Sequence, residues 1–179
     1  MKAFESFKVN MSRCEVLLEL HIEKWPRRPA RRGDDLLRAV VALSVSALDS
    51  HFHDLVIEYV PRILDEYIRG NRNPPGKLIE AMAQYLPLAK ALLLVRRGRP
   101  DEEFRKIAHA IIKGKTFQDP GEIERALKLI SVDDFWEPLR KRLGLKDERA
   151  AKGYVQQFVT RRHHIVHRGA QEDDSIDKQ

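Results

Sequence analysis

One cysteine, Cys14, occurs in 179 residues, which excludes an intramolecular disulfide and makes a reducing compartment, the cytoplasm, the simplest expectation. Apolar runs are short: Ala91–Val95 is among the longest, well below the length needed to cross a bilayer, so no membrane partner is expected. Met1 leads into Lys2 and Glu5 without an apolar stretch, and no secretory signal is expected. The chain has no HExxH, no ExxH and no paired cysteines, so neither metal nor other cofactor is predicted. "PPGKL" lacks the glycine spacing of a phosphate loop, which excludes nucleotide hydrolysis of that kind. Aromatics are sparse, at 7%, and Trp25 and Trp136 read as packing anchors rather than base-stacking platforms. No alternating apolar pattern marks a strand, and no segment repeats.

Charge is abundant. Asp, Glu, Lys and Arg make up 34% of the chain, and 33 basic residues against 27 acidic ones leave a formal +6. The cations cluster at Lys24–Arg32, Arg96–Arg99, Arg140–Lys146 and Arg161–Arg168, which suits a polyanionic partner such as nucleic acid. The length suffices for one domain with an apolar core. A single domain over 1–169 and an acidic, disordered tail over 170–179 are expected.

The periodicity is helical throughout. Phe7, Met11, Cys14, Leu17, Leu18 and His21 mark a first helix, ended by "KWPRRPARRG". A long helix should begin at Asp34 and Asp35, where carboxylates favour the positive end of the dipole. Leu37, Val40, Val41, Ser44, Leu48, Phe52, Leu55 and Tyr59 would form its buried face, and Pro61 would kink or end it. A third helix is predicted over Lys77–Arg97, interrupted near Pro87, and another after "RRGRPDEEF". Asp119 and Pro120 should start a further helix. A last helix ends in "RRHHIVHRG", capped at Gly169. The predicted class is all-α, an irregular helical bundle.

That final segment packs three arginines and three histidines into Arg161–Gly169. Val155, Phe158, Val159, Ile165 and Val166 outline an apolar stripe, and Arg162 falls inside it. A guanidinium facing a core needs an anion or several acceptors, and Asp49, Asp54 and Glu58 are the candidate partners. His163 and His167 lie one turn apart with His164 beside them, open to three readings: a chelating pair, a solvated basic end, or acid–base chemistry on a phosphodiester. In the last turn of a helix, His167 would be favoured as the imidazolium. Arg162 and His167 are five apart, so on a straight helix they project ~140° from each other.

The run Arg162–His167 resembles the R-x4-6-H signature of the HEPN superfamily, and "RRHHIVHRG" is close to the "RRNxIVHxG" form of many members. "ALDSHFHDLV" (Ala47–Val56) and "KTFQDPGEIERALKLI" are similar to a helix and loop of its RiboL-PSP branch, so the resemblance covers most of the chain. It implies an all-α HEPN-type bundle, homodimerisation around the motif helix and metal-independent RNA cleavage, often by toxins or antiphage effectors held by a cognate antitoxin protein. Carried onto this sequence, Arg162 and His167 match the catalytic pair and His163 the polar position after the arginine, where asparagine is commoner. Arg161, His164 and Arg168 are then candidate RNA-binding residues, with Asp49 or Asp54 as the carboxylate orienting Arg162. Some members of that superfamily bind without cleaving, so a non-catalytic RNA- or protein-binding module is the alternative expectation.

Overall fold

The computed structural model describes residues 2–25, 31–87 and 100–173, the side chains at 31–33, 100–101 and 167–173 being outside that description. The described residues form seven helices and no strand: α1 (Lys2–Lys24), α2 (Arg31–Ile68), α3 (Gly76–Ala83), α4 (Pro100–Ile112), α5 (Pro120–Leu129), α6 (Trp136–Leu143) and α7 (Glu148–Asp173). The all-α expectation holds. The cationic run Arg96–Arg99, the apolar run Ala91–Val95 and tail residues 174–179 lie outside the described residues.

Helix α2 is the axis of the bundle and packs against α1, α4, α5 and α7. Its most buried line is Phe52, Val56, Val60, Ile63 and Leu64, continued by Phe104, Ile107 and Ile111 of α4, Ile123 and Leu127 of α5, and Trp136 of α6. The buried face is thus rotated by one residue from the predicted Leu55–Tyr59 line, because helices cover α2 from several directions rather than one. Pro61 neither ends nor replaces the helix, which continues to Ile68. Proline forfeits the bond to the carbonyl four residues back, but Val60, Ile63 and Leu64 around it are locked in the core, and tertiary packing carries the helix across the gap. By length and composition alone, Asp34–Ile68 would suffice to cross a membrane, which the short uninterrupted runs did not suggest, since Ser44, Ser46 and single charges break them up.

Boundaries elsewhere differ from the sequence expectations in ways that local chemistry explains. Helix α2 starts at Arg31, placing Asp34 within its first turn rather than before it. Helix α3 stops at Ala83, four residues before the interruption expected near Pro87, with the amides of Tyr85 and Leu86 closing on the Met82 carbonyl, and the predicted continuation to Arg97 lies outside the described residues. Asp119 caps α5 as predicted: its carboxylate accepts from the Gly121 amide at 2.7 Å, and Pro120 occupies the first turn, where its missing N–H costs nothing. Gly144 (φ 65°) ends α6 in the left-handed conformation and turns the chain into α7. Gly169, by contrast, does not end α7. The Ala-Gln-Glu that follows favours helix, no proline intervenes, and an internal glycine costs only ~1 kcal/mol.

Among the described residues helix α1 packs on α2 alone; Ala3 and Cys14 of α1 and Val45 and Ala47 of α2 are buried, while Leu18 of the predicted α1 face is exposed. His51 of α2 lies at this seam, 4.7 Å from the Phe7 ring, with Nδ1 3.2 Å from the Ala3 carbonyl. Burial holds its pKa below the ordinary 6.5, so the unfolded chain takes up the proton more readily. The resulting stability is complete above pH ~6.5 and is lost as the pH falls through the folded value. The urea midpoint should therefore drop between pH 7.5 and 5.5, and His51→Gln should flatten that part of the curve.

Candidate functional site

Helix α4 ends at Ile112, and Gly114 (φ 74°) turns the chain into a short loop before α5. The loop is fastened to α2 at several points. Asp49 Oδ1 accepts the Phe117 amide at 2.5 Å, and Asp49 Oδ2 accepts the Gln118 side-chain amide at 3.4 Å. The Phe117 ring is buried in the core and lies 4.6 Å from His53. His53 has Nδ1 2.9 Å from the Asp49 carbonyl and 3.6 Å from its carboxylate, and Nε2 3.2 Å from the Lys115 carbonyl. A carboxylate taking backbone and side-chain donors is a charge-assisted anchor, stronger than its neutral equivalent.

Arg162 of α7 meets this loop. Its Nη1 donates to Gln118 Oε1 at 3.4 Å, so Gln118 stands between the guanidinium and Asp49, its oxygen toward the cation and its nitrogen toward the anion. The Arg162 side chain is half-buried, and its Nε is buried without a hydrogen-bond partner. Both contacts along the Arg162–Gln118–Asp49 line are long, hence weak. The guanidinium is placed by the protein but left with unmet donor capacity, and a charge so placed attracts an anion.

Asp49 therefore reaches Arg162 through Gln118 and not by direct pairing. Asp54 and Glu58 do not serve it. Asp54 is five residues beyond Asp49, ~140° round the helix, and lines a cleft of about 690 Å³ with Lys2, Arg62 and Arg105. Glu58 faces the same cleft, accepting the Ala3 amide at 3.1 Å and pairing with Arg62 at 2.8 Å.

On α7, Arg161, His163 and His164 are exposed. His167 and Arg168 lie on the described helix, but their side chains are outside the description. Because α7 runs to Asp173, His167 is not in the last turn, and the expected help from the helix dipole, confined to that turn, does not apply. Of the predicted apolar stripe, Val155, Val159 and Ile165 are partly covered, while Phe158 and Val166 are exposed. The strip that α2, α5 and α6 cover is narrower than the stripe. Among the described residues, no group of three or more His, Cys, Asp or Glu is arranged to hold a metal ion.

Gln118 and Phe117 are the site residues that single-residue reading passed over. "KTFQDP" carries the loop and cap signals that place them beside α5, but nothing in it singles out Gln118 as the link to Arg162. No family model, curated protein or solved structure matches the chain.

Asp49→Ala should cost about 1.5–3 kcal/mol in urea unfolding, as expected for hydrogen bonds to a charged acceptor. It should also raise amide exchange at Phe117 and Gln118 more than at Val56 or Ile111. A uniform change across all four would mean that Asp49 does not hold the loop.

Proposed function

We propose that this chain is a metal-independent endoribonuclease of the HEPN type, a cytoplasmic toxin or defence effector whose partners are RNA and a second copy of itself. The observation that carries the reading is Arg162: a half-buried guanidinium, held by Gln118 from the Asp49 anchor, with its Nε unpartnered. The buried Nε is closed to a ligand, but the rest of the half-buried guanidinium, with one long contact at Nη1, keeps charge with which to hold the non-bridging oxygens of a phosphodiester as charge builds on them. This adds the setting of the motif arginine to the expectation raised by "RRHHIVHRG".

In this mechanism His167 removes the proton from a ribose 2′-hydroxyl. The 2′-oxygen forms a bond to the adjacent phosphorus, the bond from phosphorus to the 5′-oxygen breaks, and that oxygen takes a proton from a second imidazole. The second imidazole is His163 or the His167 of the other copy. The products carry a 2′,3′-cyclic phosphate and a 5′-hydroxyl. Arg162 and His167 diverge by ~140° on a helix that runs unbroken past both, so they converge on one phosphate only when two copies of α7 meet. That same divergence favours the second reading, a non-catalytic RNA-binding module, if the chain acts as a monomer.

Purified protein incubated with total RNA should cut it equally with and without EDTA. Arg162→Lys and His167→Ala should each lower the rate by roughly 10²–10⁴. Replacing the 2′-hydroxyl at the cut site by hydrogen should abolish cleavage while binding persists. Cutting of that substrate would rule out the transesterification, and wild-type protein that binds RNA without cutting it would leave the binding module.

A further inference from the structure

The outer side of α7 carries a feature that the nuclease reading does not use. Tyr154 and Phe158, one turn apart, are 44% and 42% exposed and meet edge-to-face, with ring centroids 5.2 Å apart. Arg161 follows one turn later on the same side, exposed, and makes no hydrogen bond or ion pair to another described residue. From Arg149 to Gln171 the sequence contains no acidic residue, yet it holds Arg149, Lys152, Arg161, Arg162 and Arg168. Lys152 is paired with Glu124 of α5 at 3.3 Å, so Arg161 is the unpaired cation beside the two aromatic faces, and together they make a surface with two requirements, a flat apolar surface and an anion.

We propose that Tyr154 and Phe158 form a stacking platform for the unpaired bases of single-stranded RNA, with Arg161 holding an adjoining phosphate. The inference rests on RNA being the substrate, and adds which form of RNA and which residues take it. A base supplies a π face and its backbone supplies the negative charge, so one ligand meets both requirements. Duplex RNA keeps its base faces stacked inside and cannot use the platform. A second copy of this chain fits less well, because packing the same stripe of two copies together would bury Arg161 among residues 149–171, which hold cations and no carboxylate to pair with it. Phe158 precedes Arg162 by one turn, ~6 Å along the helix axis, so a base on the platform places its own strand beside the phosphate-holding guanidinium.

The test uses a fluorescein-labelled single-stranded octanucleotide with 2′-O-methyl riboses, which cannot be cleaved by 2′-hydroxyl attack, so anisotropy reads binding alone. The double substitution Tyr154→Ala with Phe158→Ala should raise Kd by about tenfold or more. Tyr154→Phe with Phe158→Tyr should bind like wild type, which separates loss of stacking from loss of folding. Abasic residues in the oligonucleotide should weaken wild-type binding and leave the alanine variant unaffected. Sedimentation velocity should give the same oligomeric state for all three proteins. Wild-type protein that fails to bind the oligonucleotide, alanine variants that bind it like wild type, or alanine variants that dissociate an oligomer would each overturn the platform, the last by making this face an interface between copies. The nuclease reading is decided separately: wild type that binds through these aromatics but cuts no RNA removes the nuclease and leaves the platform standing.

Discussion

The Asp49 carboxylate is the contact on which the rest of the candidate site depends. It projects from the helix that most of the bundle packs around, and it takes the Phe117 amide and the Gln118 side chain, the two donors that place the loop between α4 and α5. With that loop in place, Phe117 fills the core, Asp119 is positioned to cap α5, and Gln118 turns its oxygen toward α7. A bare loop of this length would expose its backbone to water or leave it unsatisfied. One carboxylate removes that difficulty and at the same time directs a neutral amide at a cation.

An amide standing between Asp49 and Arg162 has a different effect from a direct ion pair. A carboxylate in direct contact would satisfy the guanidinium and compete with any incoming phosphate. Gln118 supplies one oriented dipole at 3.4 Å, which biases the direction of the side chain and is too little to neutralise its charge. The opposite arrangement occurs on α6, where Arg140 is held at Nε and Nη2 by Glu137, whose carboxylate is pushed down to about 2 by Arg140 and Lys141. That arginine is consumed by its partner and tethers the α6–α7 turn through the Leu145 carbonyl. Both arginines belong to cationic clusters in the sequence, and only the geometry separates the structural one from the available one.

The helical class, the start of α5 at Asp119 and Pro120 and the out-of-place Arg162 were all legible in the sequence, because each follows from local periodicity or from the chemistry of a single side chain. Whatever depended on several neighbours at once was not. The phase of α2 shifted because helices surround it, Pro61 was overridden by the packing on either side, and Gly169 proved to be an interior residue because its successors favour helix. Asp49, Asp54 and Glu58 were equivalent as carboxylates near the right helix. Their separation came from the angular position of each on α2, which sends one toward the loop and two toward the cleft lined by α1. Phe158 was expected inward because periodicity marks a face without revealing how wide a strip the neighbours cover.

The absence of acidic side chains along most of α7 has a thermodynamic consequence. Elsewhere in the bundle, exposed helices are laced by Glu–Lys and Glu–Arg pairs three or four residues apart, as at Lys77 with Glu80 or Arg125 with Glu122. Between Arg149 and Gln171 no two residues can form such a pair, and although Lys152 pairs with Glu124 of α5, the run Arg161–His164 has no carboxylate within four residues along α7, so its like charges repel along the same rod and depend on packing or on external counterions. Any multivalent anion that seats there must therefore stiffen the helix as it binds, and the melting temperature of the whole fold becomes linked to ligand concentration and opposed by added salt.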